Sequence, residues 1–175
     1  MTTTQVTAAQ RTTLVRPILE DAVKKLLLSI DCKNVYSEII PPITTWQDFE
    51  NFLAYHEGYD QSKLEAWFVK LTGFNHSPNI LNSMSQYQQI HAVQIVGMAW
   101  HNTFHNSYMY VHDQTEKLAW VIEKNKGLVS TEILEASNLQ AGFDFGPFGE
   151  VSLYQSDVRF DALVHISESN GRVSS

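Results

Sequence analysis

One run of residues limits what this chain can fold into: Gln89-Ile90-His91-Ala92-Val93-Gln94-Ile95-Val96-Gly97-Met98-Ala99-Trp100. At a period of two, Ile90, Ala92, Val96, Met98 and Trp100 fall on one face. Val93, Ile95, Gly97 and Ala99 fall on the other. A strand that is apolar on both faces is a central strand, covered on each side. The rest of the chain must therefore supply what pairs with it and what covers it. No residue of the run is an obvious catalyst.

Upstream, Leu14, Ile18, Ala22, Leu26 and Ile30 recur every four residues, and Val15, Leu19, Val23 and Leu27 widen the stripe. Lys24 and Lys25 lie opposite its centre. This predicts an amphipathic helix from about Thr13 to Ile30, capped by Thr12 or Thr13, with Pro17 in or near the first turn, where a missing N–H costs little. Residues 1–12 read as a Thr- and Gln-rich arm. Val35 to Ile40 is a short strand stopped by Pro41-Pro42. Thr45 with Asp48 forms a cap before a short helix carrying Trp46, Phe49, Phe52 and Leu53. Leu64 to Gly73 alternates as a strand, with Trp67, Val69 and Leu71 on one face and Ala66, Phe68, Lys70 and Thr72 on the other.

A long Asn- and Ser-rich loop, Phe74–Gln86, leads into the central strand. A second helix starts near Asn106 or Ser107, buries Tyr108, Val111, Thr115, Leu118, Ala119 and Ile122, and is closed by Gly127. Ile133 to Leu139 is a strand ending near Gly142. Phe143-Asp144-Phe145-Gly146-Pro147-Phe148-Gly149 reads as an aromatic, glycine-rich turn, and Val151 to Tyr154 as strand edge. Val158, Phe160, Ala162, Val164 and Ile166 alternate with polar residues in a last strand, and residues 167–175 form a polar tail. Strands in antiparallel succession with two main helices on one face make an α+β sandwich, mostly antiparallel, in a single domain over 13–166.

The 175 residues suffice for a real core, burying roughly 70% of the unfolded surface. A net charge of −7 argues against a general nucleic-acid binder, which needs a basic face. No apolar run approaches the ~18 residues of a membrane span, and the N-terminus has no signal-peptide pattern. Cys32 is the only cysteine, so no intrachain disulfide forms, which fits a reducing compartment.

The chemistry is thin. His101 and His105 are four apart, with His91 and His112 near in sequence, and on one helical face such a pair can bind zinc. The motif lacks the Glu of the protease helix and falls at a strand-to-helix junction. Asp144-Phe145-Gly146 matches the kinase metal-binding tripeptide without any of its companions. Cys32 has no activating constellation and reads as a structural thiol. Asp157 and Asp161 share a face and mark the solvated side of the last strand. Trp46, Trp67 and Trp100 belong to apolar stripes or lie beside them; Trp120 lies off its stripe and faces a neighbour.

The element order carries a resemblance. An amphipathic helix leads to an edge strand, then to Ala66-Trp67-Phe68-Val69-Lys70-Leu71-Thr72-Gly73 and a long loop. A strand Ile90-His91-Ala92-Val93-Gln94-Ile95-Val96 precedes a helix with His112-Asp113-Gln114-Thr115-Glu116-Lys117-Leu118-Ala119-Trp120-Val121-Ile122. The end is Tyr154-Gln155-Ser156-Asp157-Val158-Arg159-Phe160-Asp161-Ala162-Leu163-Val164. Over about Thr13 to Ile166 the layout resembles the tail terminator proteins of long-tailed bacteriophages, minor tail proteins similar to the lambda terminator.

The resemblance implies a structural protein of the virion, not an enzyme, with no cofactor and no membrane partner, assembled in the host cytoplasm. It implies a ring, usually of six subunits, that caps the head-proximal end of the tail tube, stops its polymerisation and docks the head–neck connector proteins. DNA would be passing cargo only, and an acidic channel would let it slide. The segment Pro41 to Ser62 and the N-terminal arm depart from the family pattern and leave open a connector, tail-completion or baseplate role.

Long loops and exposed aromatics are where partners touch. The interface expectation therefore falls on Phe74, Asn75, His76, Asn79, Phe143, Phe145, Phe148 and Trp120. Two readings of another class stand beside it. One is a small metal-dependent hydrolase using His91, His101, His105 or His112. The other is a monomeric ligand-binding domain with a dry pocket near Trp100.

Overall fold

The structure is a computed structural model and describes residues 8–37, 45, 47–48, 50–51, 63–76, 86–101, 103–128, 130, 133–148 and 151–167. Two long helices, α1 (Ala8–Ser29) and α2 (Phe104–Lys124), accompany strands β1 (Val35–Tyr36), β2 (Lys63–His76), β3 (Gln86–His101), β4 (Ile133–Phe148) and β5 (Val151–Ser167) among the described residues. The strands form one sheet in the order β1-β2-β3-β5-β4. Every pairing is antiparallel except the two-residue parallel contact of β1 with β2. The fold is α+β, and the two-faced run lies in the middle strand.

Both helices cover one face. On that face Trp67 and Val69 of β2, Val93 and Ile95 of β3, and Val158, Phe160, Ala162 and Val164 of β5 join the buried stripes of α1 and α2 in one cluster. On β3 the alternation is strict: His91, Val93, Ile95, Gly97 and Ala99 are buried, and the residues between them are half-buried. The sheet's other face is buried at one end, through Leu64, Ala66, Phe68 and Leu153. Its middle is polar. There Arg159 holds Asp157 in a two-toothed pair at 2.6 and 3.1 Å, and Gln94 donates to the same carboxylate at 3.0 Å. Burial works against that charge, but these donors and Lys70 outweigh it and hold the Asp157 carboxyl below its ordinary range. Asp157 and Asp161 do lie on the side away from the helices.

Several expected boundaries move. Helix α1 begins at Ala8, so residues 8–12, expected in the arm, are helical, and Pro17 is internal instead of sitting at the start. Its side chain is exposed, so the lost rung and ring bulk fall on the solvent side of the helix. The helix closes with Asp31 in the left-handed region (φ 63). The Asp31 and Cys32 N–H groups donate back to Leu28 and Leu27, a Schellman closure with Cys32 tucked into the core.

Helix α2 starts at Phe104 because Thr103 caps it, its side chain accepting the Asn106 N–H at 3.1 Å. It ends at Asn125, not Gly127. Leu128, fully buried, instead takes the left-handed turn (φ 48). Thr45 and Asp48 make the expected reciprocal cap at 3.0 and 3.1 Å, and Gln47, Asp48, Glu50 and Asn51 are helical. Of the strand expected from Val35 to Ile40, only Val35–Tyr36 is strand and Ser37 already leaves it; residues 38–40 lie outside the described residues.

Two expected connections are strands. Phe74, Asn75 and His76 continue β2 and pair with His91, Ile90 and Gln89, and β3 already begins at Gln86. Phe143 to Phe148 are not a turn. They pair with Ser156 to Val151, so β4 and β5 form one long hairpin. Glycine and aromatic density looked like a turn, but alternate aromatics satisfy a strand equally well.

Candidate functional site

The junction between β3 and α2 sets the site. The Ser107 hydroxyl accepts the His101 N–H at 2.9 Å and, with its single proton, faces the Thr103 and His101 carbonyls at 3.0 and 3.3 Å. This fixes the first turn of α2, and with it Tyr108 and His112, which lie four apart on one flank. On the neighbouring hairpin Phe143 sits opposite Ser156 and Phe145 opposite Tyr154, on the face that the helices cover.

The rings meet. Tyr108 contacts Phe143 edge-on at 5.7 Å and Tyr154 at 5.4 Å, His112 contacts Phe143 at 5.0 Å, and Phe145 lies 4.6 Å from Tyr154. These spacings are those of packed aromatic pairs, so the cluster is a filled shelf and not an open cage. Tyr154 is buried and Tyr108 and His112 are half-buried, whereas Phe143 and Phe145 each remain 40% exposed. Asp113 and Glu116 stand beside His112, their oxygens 3.7 and 3.6 Å from its ring nitrogens. The shelf borders β4, which no other strand among the described residues pairs on its outer side.

Of the residues expected at an interface, Phe143 and Phe145 come together here. Trp120 is the most exposed large apolar side chain among the described residues at 59%, but it rides the outward crest of α2 with Lys124 over its ring. Phe74 and Asn75 are exposed at the opposite end of the sheet. Phe74 stacks on His91, eight residues along β3 from Ala99, which faces Tyr154, or about 26 Å. Asn79 and the side chains of His76 and Phe148 lie outside the described residues. The sequence reading missed Tyr108, His112 and Tyr154 as part of the surface. The usable signal was the i,i+4 spacing of Tyr108 and His112 beside the i,i+2 spacing of Phe143 and Phe145.

The four histidines do not converge. His91 and His101 are ten residues apart on one strand, about 33 Å. His105 is exposed in the first turn of α2, and His112 belongs to the shelf. Among the described residues no three His, Cys, Asp or Glu side chains are grouped to hold a metal. His91 is 1% exposed, and burial lowers its pKa to about 4; its Nε2 lies 3.1 Å from the Gln89 side-chain oxygen.

A second buried polar group lies under the other flank of α2. Glu65 accepts the Lys33 N–H at 2.9 Å. Burial first, and then Glu65, push up the Tyr110 hydroxyl. The same two causes push the Cys32 thiol to about 12, so Cys32 is a protonated core residue and not a nucleophile. No helix among the described residues is long and apolar enough to cross a membrane.

Comparison with protein-family models and with curated proteins returned no match for this chain.

Proposed function

We propose that this protein is a structural assembly subunit of the tail-terminator kind, a ring former that caps a phage tail tube and presents a docking face to the neck. One observation carries the assembly part of this reading: an aromatic shelf left open beside an edge strand of the sheet. Phe143 and Phe145, each 40% exposed, leave about 80 Å² of ring apiece in water, taking ~200 Å² for a whole side chain. Covering it is worth about 2 kcal/mol per ring. Two rings on a paired strand, backed by the buried Tyr154 and the half-buried Tyr108, have the make-up of an interface anchor. The element order that resembles the terminator family supplies the finer part: a ring of six, tube protein and neck connector as partners, DNA only in transit, and a place in the virion.

Electron microscopy of the concentrated protein, alone and with tail tubes of its phage, tests both levels. The expected result is closed rings, or density capping one tube end, lost in the double variant Phe143→Ser, Phe145→Ser while its thermal unfolding stays cooperative. A chain that remains monomeric and ignores tubes refutes the reading. Assembly indifferent to the double variant removes the shelf from it.

A further inference from the structure

We infer that copies of this chain join head to tail, the outer face of α1 around Lys24 and Leu28 of one copy seating on the aromatic shelf and acidic rim of the next. This rests on the assembly reading above and names its two surfaces. They lie toward opposite edges of the sheet, on its helix-covered side. Helix α1 packs over β1 and β2, at one edge of the sheet, whereas α2 packs over β3, β5 and β4 and turns its Tyr108 and His112 flank toward the other edge. A contact between unlike surfaces on opposite edges repeats from copy to copy and closes into a ring when the rotation allows.

Charge favours this pairing over shelf on shelf. The rim carries Asp113 and Glu116, whose side chains are 54% and 72% exposed, and two such rims would repel. For a chain with net charge −7, self-association is favoured where bases are set against acids. The outer face of α1 offers them around an apolar centre. Leu28 is 52% exposed and lies one helical turn beyond Lys24 and Lys25. Lys25 is held by Asp21 at 2.6 Å. Lys24 makes no ion pair among the described residues and is exposed. Leu28 would meet the rings, and Lys24 the rim.

The test is charge reversal read by sedimentation and electron microscopy. Lys24→Glu with Lys25→Glu, and separately Asp113→Lys with Glu116→Lys, should each lose assembly, by tenfold or more in the concentration required. Mixing the two variants should restore it, because each then presents the complement of the other. Circular dichroism and thermal unfolding establish that the variants fold. Wild-type assembly that survives either reversal overturns this pairing and leaves the ring reading standing. Loss without recovery on mixing also overturns it. A wild-type chain that never assembles, with or without tubes, overturns both.

Discussion

Lowering the pH from 7.5 to 5 should destabilise this protein by about 2 kcal/mol through His91 alone. The side chain is 1% exposed and its pKa falls from 6.5 to about 4 through burial. Protonation is therefore easier in the unfolded chain. The stability is fully present above the unfolded value, declines as pH drops through 6.5, and levels off below about 4. The full loss is about 3 kcal/mol at 1.36 kcal/mol per pH unit, and at pH 5 about two-thirds of it has been taken. The assay is chemical denaturation at pH 7.5, 6.5, 5.5 and 5, on wild type and on His91→Gln, whose amide can still donate to the Gln89 oxygen. The variant should start less stable through altered packing, yet lose about 2 kcal/mol less over the range. Parallel losses in the two proteins would refute the assignment of a buried, neutral imidazole.

Three further outcomes follow from single contacts. Gly97→Ala should cost about 3 kcal/mol, because a Cβ there would come within 2.7 Å of Cη2 of Trp67 and closer still to Cζ3 and Cε3; a variant of native stability in urea would show that the indole does not lie on the strand. Asp31→Gly should raise stability by about 1 kcal/mol, since it removes both a left-handed non-glycine residue (φ 63) and a negative charge from the end of α1; a lowered melting temperature would contradict that closure. Thr115→Val should cost about 1–2 kcal/mol by leaving the Ser156 hydroxyl, 2.8 Å away and fully buried, without its partner. Adding Ser156→Ala should then cost less than the separate effects predict, and strict additivity in denaturation would dismiss the pair.

The core was legible because its periodicities are unambiguous. The two faces of β3, the face of β2 holding Trp67, Val69 and Leu71, and the stripe Val111, Thr115, Leu118 and Ile122 all land where a period of 2 or 3.6 puts them. Element ends were less legible. Ala8, Ala9 and Gln10 carry no stripe, so the start of α1 was invisible, and Pro17 pointed to the wrong turn. The end of β4, Phe143–Phe148, was misread because glycine and proline mark turns on average but tolerate an edge strand. The shelf is assembled from three separated segments, around residues 108–112, 143–145 and 154. The i,i+4 and i,i+2 spacings mark two of these segments as aromatic flanks, but only the register of β4 on β5, and the crossover through α2, brings them together.

That register also ties the shelf to the core. One row crosses the sheet on its helix side, from Trp67 through Gly97 and Ser156 to Phe143. A large ring stands at each end and two of the smallest side chains lie between. The dip in the middle is where α2 comes down, and Thr115 meets Ser156 there. Thr115 Oγ1 has one proton and two close oxygens, the Val111 carbonyl at 2.6 Å and Ser156 at 2.8 Å. With its proton given to the carbonyl, it accepts the one from Ser156, and both hydroxyls are satisfied inside the core. The helix that bears Tyr108 and His112 is thus fastened one residue pair away from the strand that bears Phe143. A surface built for assembly needs rings that do not move when a partner arrives, because ordering loose side chains subtracts from affinity. On the assembly reading proposed above, Gly97 and Ser156 serve that need from beneath, at buried positions.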